Sequence, residues 1–371
     1  MRRVIRRALA LAAVLALACC GSALAIVPAG PRLATVEMTE TRNSPRLEDS
    51  TLPFMSLGTM DPNGDLRRRF ARARLDAERR IVPFPFNGPV WSPDGGLIAF
   101  SGVSGKTERI FVASPDGSGL RALPGTRGAT NPVFSPDGRT LAFARRRFRS
   151  YVDTKHITEP GKDRSRFYAS RSTWIVDLAS GGARRLTRWR NGLSNVPGAF
   201  APDGSTLLVT KDDDNLEGPR IMSVRLDGGG MQEVVRFAEE PALSPDGTQL
   251  AFVGYLHPDL VEAEEGQSYH AGELYIMGKD GSPPRRLTRT DDVLESSPSW
   301  DPSGQRIAYV QVKADTSFLA GLALLFPVGN ALVQVNADGS CRDKIVSDKK
   351  IAFYGVAWQP GPGREAGRID C

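Results

Sequence analysis

Short apolar runs, each broken by a Pro, Asp or Gly turn, recur along most of this chain. One run follows Trp91-Ser92-Pro93-Asp94-Gly95 and reads Leu97-Ile98-Ala99-Phe100. The same phrase returns at Phe134-Ser135-Pro136-Asp137-Gly138, Phe200-Ala201-Pro202-Asp203-Gly204 and Leu243-Ser244-Pro245-Asp246-Gly247. Looser copies stand at Trp300-Asp301-Pro302-Ser303-Gly304 and Trp358-Gln359-Pro360-Gly361. The composition is that of a type I turn, with Pro presetting φ and Gly relaxing the fourth position. The strands are apolar on both faces: Ile98 and Phe100 point one way, Leu97 and Ala99 the other. Strands of that kind are buried on both sides.

A second phrase follows most copies of the first. Ile110-Phe111-Val112 leads to Asp116-Gly117, Trp174-Ile175-Val176 to Ser180-Gly181 and Ile221-Met222-Ser223-Val224 to Asp227-Gly228. Leu274-Tyr275-Ile276 leads to Asp280-Gly281, and Leu332-Val333-Gln334-Val335 to Asp338-Gly339. Asp-Gly between apolar runs is a strong hairpin signal. One repeat is therefore four antiparallel strands, a to d, with tight turns at a–b and c–d. Repetition of such units predicts radial blades.

Six heads but only five following tails are present, because the chain ends soon after Trp358. An orphan tail lies at the other end, where Phe54 to Met60 runs into Asn63-Gly64 and then Leu66 to Phe70. Pairing that tail with the Trp358 strand would remove two sheet edges. The expectation is an all-β fold: a six-bladed β-propeller of four-stranded antiparallel blades, closed by an N-terminal hairpin that completes the C-terminal blade. The head aromatics read as blade-to-blade packing, and Asp94, Asp137, Asp203 and Asp246 as turn residues rather than catalytic acids.

With tails ending Arg185-Leu186-Thr187 and Arg286-Leu287-Thr288, the repeats resemble those of the TolB propeller family, and those of prolyl-oligopeptidase-type enzymes. The resemblance covers roughly residues 54–371. It implies a propeller that docks another protein in the cell envelope. TolB-type proteins carry a separate α/β domain before the propeller, and the stretch 26–51 is too short for one. The oligopeptidases carry a hydrolase domain, whose Gly-x-Ser-x-Gly elbow this chain lacks.

Residues 1–25 read as a signal peptide: Arg2, Arg3, Arg6 and Arg7 precede an apolar run and an Ala23-Leu24-Ala25 cleavage site. The rival reading is a lipoprotein signal ending at 18, with Cys19 lipidated. Residues 26–53 then form an arm and 54–371 the propeller. The expected location is periplasmic or extracellular, free or anchored through Cys19. The full chain is +6, and losing a leader with four arginines and no acid leaves +2. That removes the basic excess expected of a nucleic-acid binder. Cys341 and Cys371 fall in neighbouring blades, where a disulfide and free thiols both remain open.

Head spacing is 43 residues between 91 and 134 and between 200 and 243. The other gaps are longer, with the extra length between strands b and c. In an antiparallel blade these insertions share one face, and long loops on a rigid scaffold commonly carry function. The second repeat's insertion is basic, with Arg145, Arg146, Arg147, Arg149, Tyr151 and Arg164. The fourth's is acidic, with Glu262, Glu264 and Glu265, and the fifth's apolar, with Phe318, Leu322 and Phe326. The charged loops read equally well as solvated faces, and the apolar one as a plug under the disc or a peripheral membrane contact.

These residues nominate a face for a protein or peptide partner on a monomeric propeller. No cofactor or metal is expected. Asp212-Asp213-Asp214-Asn215 lacks the glycine and glutamate of an EF-hand loop, and the three histidines lie in insertions. A non-enzymatic scaffold is the first reading; a hydrolase or lyase acting on an extracellular sugar or lactone is the second. The side chains at the b–c mouth of the channel discriminate them.

Overall fold

The structure is a computed structural model that describes residues 32–39, 54–65, 67–74, 88–104, 107–152, 165–190, 192–213, 218–256, 261–262, 268–269, 272–290, 293–313, 331–347, 351–361 and 369–371. All its described elements are strands. β1 (Leu33–Thr39), β2 (Phe54–Met60) and β3 (Arg68–Arg74) come first. β4 (Val90–Trp91), β5 (Ile98–Ser104), β6 (Thr107–Ala113) and β7 (Arg121–Ala122) make one four-stranded antiparallel sheet. β8 (Ala129–Phe134), β9 (Thr140–Val152), β10 (Ser165–Asp177) and β11 (Ala183–Arg185) follow, then β12 (Leu193–Phe200), β13 (Thr206–Asp213), β14 (Arg220–Arg225) and β15 (Met231–Arg236). β16 (Ala238–Leu243) and β17 (Gln249–Gly254) lead into a small hairpin, β18 (Val261–Glu262) and β19 (Ser268–Tyr269). β20 (Glu273–Gly278) and β21 (Arg285–Arg286) complete that sheet. β22 (Val293–Trp300), β23 (Arg306–Lys313), β24 (Ala331–Asn336) and β25 (Arg342–Ser347) form another, and β26 (Ile351–Trp358) is last.

The architecture is an all-β propeller. Four blades stand as separate four-stranded sheets, rather than the six expected. The eight strands β8 to β15 belong to one sheet, in which two antiparallel four-strand runs are joined by a single parallel bridge, Arg171 to Ser194. The cause is the length of β9 and β10. Both run 13 residues, paired from Thr140–Asp177 out to Val152–Ser165, so β10 overshoots its blade and meets the start of β12. The basic insertion is thus an extended hairpin in its described part, not an irregular loop.

Closure departs from the expected pairing. The C-terminal sheet has the order β26-β1-β2-β3. The hairpin β2–β3 does lie in the Trp358 sheet, but β1 intervenes, pairing Leu33 with both Trp358 and Met60. Three N-terminal strands therefore complete one C-terminal strand, and the propeller begins within the stretch expected to be an arm. The physical reason is the missing strand b: the innermost β26 would otherwise expose its edge. Leu33 and Ala34 are fully buried there.

Each innermost strand packs against the next around the ring: β4, β8, β12, β16, β22, β26 and back to β4. The aromatics that sequence assigned to packing are buried, Trp91, Phe134, Phe200, Trp300 and Trp358 among them. Phe143, Phe252 and Tyr309 are sealed between sheets. Burial of side chains this size stabilises by about 1.5–3 kcal/mol each. The Arg-Leu-Thr tails are structural as well. Thr187 and Thr288 are buried, and their hydroxyls accept the N–H groups of Thr173 and Leu274 at 2.8 and 2.9 Å.

The a–b turns interlock around the axis. Gly247 has φ +68, and a Cβ there would lie 2.3 Å from the Pro202 ring of the preceding turn. Only glycine fits that approach. The turn aspartates cap their own backbone: Asp137 accepts from Ser135 Oγ at 2.5 Å and from the Arg139 N–H at 3.0 Å. Asp246 does the same with Ser244 and Thr248.

Candidate functional site

Antiparallel connectivity puts the b–c hairpins and the starts of the innermost strands on one face. On it, Arg145 donates to the Gly125 carbonyl at 2.7 Å and lies 4.0 Å over the Trp174 ring. Burial holds its guanidinium below its ordinary pKa. Arg146 pairs with Glu108 at 2.5 Å, linking strand β9 to the neighbouring blade's β6. Burial raises the Glu108 carboxyl, and Arg146 opposes that. Arg171, on β10, is lowered first by burial and then by Arg146, while Glu108 and Asp212 pull it back up. Arg147, by contrast, is exposed.

Beside this basic side stands an acidic one. Tyr255 donates its hydroxyl to Glu239. The Glu240 N–H donates to Thr210 Oγ1 at 3.1 Å, and its carboxylate accepts the Ser297 N–H at 2.5 Å. Glu240 therefore joins three blades. Its φ is +52; Ser297 and Asn131, three residues before their head aromatics as Glu240 is before Leu243, have φ +55 and +54. These positions fall in bulges of the inner strands. Bulges re-aim side chains. Protein packs closely around the Glu240 carboxyl, although the residue as a whole is exposed. Burial, then the Glu239 charge, push its carboxyl up to about 7. Burial likewise raises Glu239 and Tyr255.

A second acid pair is sealed. Glu273 and Glu295 are buried, and Thr288 Oγ1 contacts both, at 2.5 Å for Glu273. Arg286 pairs with Glu273 at 2.7 Å, and the Leu274 N–H donates to Glu295 at 3.0 Å. Burial raises Glu295 to about 7, with Glu273 adding to the rise. One hydroxyl hydrogen cannot serve two carboxylates, so the knot is satisfied best with a proton on Glu295. It welds two blades together and offers no open chemistry.

Among the nominated residues, Arg145, Arg146 and Arg147 share this face, the first two consumed by packing and pairing. Arg149 and Tyr151 lie on β9, and Glu262 on β18. Arg164, Glu264, Glu265, Phe318, Leu322, Phe326 and Cys19 lie outside the described residues, as do the three histidines. Among the described residues no cluster with metal-ligand character occurs. Cys341 and Cys371 are joined, with Cα atoms 5.2 Å apart. Asn336 grips the same tail, its side chain bonding the Ile369 carbonyl at 3.0 Å and N–H at 2.9 Å. Sequence reasoning missed Glu239, Glu240 and Tyr255. The one signal for the two glutamates was Glu-Glu-Pro inside an otherwise apolar strand.

The opposite mouth, on the a–b turn face, is different. A cavity of about 650 Å³ opens there, ringed by Pro93, Pro136, Pro202, Pro245, Pro302 and Pro360. The turn motif thus builds the mouth as well as the turns.

No family model matches the chain. It is 45% identical to the Tol-Pal system protein TolB of Gluconobacter oxydans over 62 residues, 16% of this chain and 13% of that one. It is 30% identical to TolB of Anaeromyxobacter dehalogenans over 175 residues, 45% of this chain and 36% of that one. It is 27% identical to the uncharacterized peptidase YuxL of Bacillus subtilis over 235 residues, 51% of this chain and 31% of that one. The chain thus matches about a third or less of the length of these relatives. In fold it superposes on the crystal structure of TolB from Acinetobacter baumannii with a TM-score of 0.61 and 20% identity, covering 89% of this chain and 67% of that one. In its repeats and in its fold, the propeller of this chain is TolB-like.

Proposed function

We propose that this chain is an exported, non-enzymatic scaffold of the cell envelope that docks another protein through its b–c face. Its ring has six blades on this reading, with β8–β11 and β12–β15 counted as two. The carrying observation is the β9–β10 hairpin. It projects past its blade on that face, displays Arg147 in solvent, and is braced at its root by Arg145 on Trp174 and Arg146 on Glu108. A rigid stem with a basic, aromatic-containing end suits recognition of a folded partner with an acidic surface. The similarity to TolB proteins supports an envelope role and a protein partner.

A photo-cross-linker at Arg147 tests this in cells of the source organism. Capture of one defined envelope protein from position 147, and not from Asp280 on the turn face, is the expected outcome. Equal capture from both, or none from 147, contradicts it. The second reading, a propeller hydrolase or lyase acting on an extracellular sugar or lactone, draws on the Glu239–Glu240 pair and its raised carboxyls. Turnover of such a substrate, lost in Glu240→Gln, would establish it instead.

A further inference from the structure

Three inner strands repeat one irregularity. Asn131-Pro132 on β8, Glu240-Pro241 on β16 and Ser297-Pro298 on β22 each put a left-handed residue before a proline, with φ +54, +52 and +55. A bulge at that place takes the residue's N–H out of the ladder. An N–H out of the ladder needs another acceptor.

The preceding blade supplies one, twice as a neutral hydroxyl. The Asn131 N–H donates to Ser101 Oγ at 3.0 Å, and the Glu240 N–H to Thr210 Oγ1 at 3.1 Å. Ser101 and Thr210 hold equivalent places. Each lies three residues beyond the strand-b partner of its head aromatic, Ile98 opposite Trp91 and Leu207 opposite Phe200. In β17 the equivalent residue is Val253, three beyond Leu250, the partner of Leu243. It has no hydroxyl to offer. The Ser297 N–H is taken instead by the Glu240 carboxylate at 2.5 Å. The seam before β12 obeys the same rule: Pro197 stands at this position without an N–H, and the preceding strand b has Ala144 there. Two seams are thus tied by groups that do not titrate near neutral pH, and one by a group that does.

An ionised carboxylate is a stronger acceptor than a neutral carboxyl. The titratable groups around Glu240 are Glu239 on its own strand, Tyr255 just past β17 and Asp212 on β13, which acts on both of these. Lys211 alternates to the other face of β13 from Thr210. Arg220 on β14 is paired with Glu233, and Glu295 on β22 is held in the sealed knot. Strands β12 and β17 carry no charged residue. Burial and the Glu239 charge bring the Glu240 carboxyl to about 7, so its charge changes near neutral pH.

We propose that Glu240 is a proton-operated latch on the seam between β16 and β22: ionised, it grips the Ser297 N–H and with it the next inner strand; protonated, it grips weakly and the strand opens locally. The latch stands apart from the docking reading, since it needs neither Arg147 nor a partner.

The test is amide hydrogen exchange and NMR on the full-length oxidised protein from pH 5.5 to 8.5, with each rate divided by its intrinsic value. Protection of the Ser297 amide relative to that of Asn131, whose acceptor is a neutral hydroxyl, is expected to rise about tenfold across this range. The Ser297 amide proton should move downfield with the same midpoint as the Glu240 Cδ resonance. Glu240→Gln keeps an acceptor that has no proton to lose, and the ratio is expected to become flat within about twofold. A flat ratio in the wild type, a Ser297 shift that does not follow the Glu240 Cδ titration, or a pH-dependent ratio that survives in Glu240→Gln overturns the proposal. The first two readouts need no variant, so they decide it even if Glu240→Gln does not fold.

Discussion

The indole N–H of Trp91 donates a 3.0 Å hydrogen bond to the carbonyl of Ala357, 266 residues away. Trp91 is on the first inner strand and Ala357 on the last, so this bond crosses the seam where the ring closes. Trp91→Phe keeps most of the buried ring and removes the donor, while the Ala357 carbonyl keeps its ladder partner across the pair with Ala34. The expected loss is about 0.5–1.5 kcal/mol, read as a lower urea midpoint at unchanged slope. An unchanged midpoint would show that the seam does not depend on it.

The N-terminal strand should carry stability far beyond its length. Leu33 is fully buried between Trp358 and Met60. Leu33→Ala is expected to cost about 2–5 kcal/mol. Combined with Trp358→Phe, the two losses should fail to add; combined with Phe252→Leu, in another cluster, they should add within about 0.5 kcal/mol. Denaturant midpoints of the single and double variants decide this.

Much of this was legible from the chain. The Pro-Asp-Gly and Asp-Gly punctuation marks turns because their φ requirements are local. The closing sheet was legible only in part. Phe54 to Phe70 carries an Asn-Gly turn and reads as a hairpin, whereas Leu33 to Thr39 has no turn of its own and no repeat to match. Its partners are at opposite ends of the chain, and no local signal encodes that. The site was harder still. Arg145 and Arg146 read as part of a solvated basic run, but a ring and a carboxylate from elsewhere in the fold absorb them. The proline mouth was invisible because each proline has a sufficient local reason to be where it is.

That contrast separates two neighbouring arginines. Arg145→Ala removes a stacked, hydrogen-bonded guanidinium and is expected to lower stability by about 1–2 kcal/mol. Arg147→Ala should leave the unfolding midpoint within about 0.5 kcal/mol of wild type, while weakening capture of the envelope partner. Thermal melts and cross-linking yields, measured together, check both.

Stability should fall as pH rises through the mildly acidic range. Glu295 titrates near 7 in the fold against an ordinary 4.5, so the folded state favours its protonated form. That contribution is complete below about pH 4.5 and is lost as pH climbs to about 7; for a buried group it is on the order of 3 kcal/mol. Glu240 acts in the same direction. The turn aspartates oppose it below about pH 4, where lowered carboxyls take up protons. A stability maximum between those windows is expected, and Glu295→Gln should flatten its alkaline side. A profile that rises steadily from pH 5 to 7 would contradict the assignment.

Reduction should loosen the C-terminal tail. The bond between Cys341 and Cys371 closes a separation of 30 residues. Loop-closure entropy for that length is worth ~3–4 kcal/mol. Dithiothreitol and Cys341→Ser should lower the melting temperature equally, and the reductant should have no further effect on the variant.

The joining of the two chain ends is tested most directly by cysteine trapping. Thr35 and Val356 are directly opposed in the structure, and Gly58 is one strand further out. In a variant with the native cysteines replaced, Thr35→Cys with Val356→Cys should oxidise to a 35–356 peptide identifiable by mass spectrometry, and Gly58→Cys with Val356→Cys should not. Recovery of the 58–356 link in place of 35–356 would mean that the hairpin meets the last strand directly, and the three-plus-one closure would be wrong.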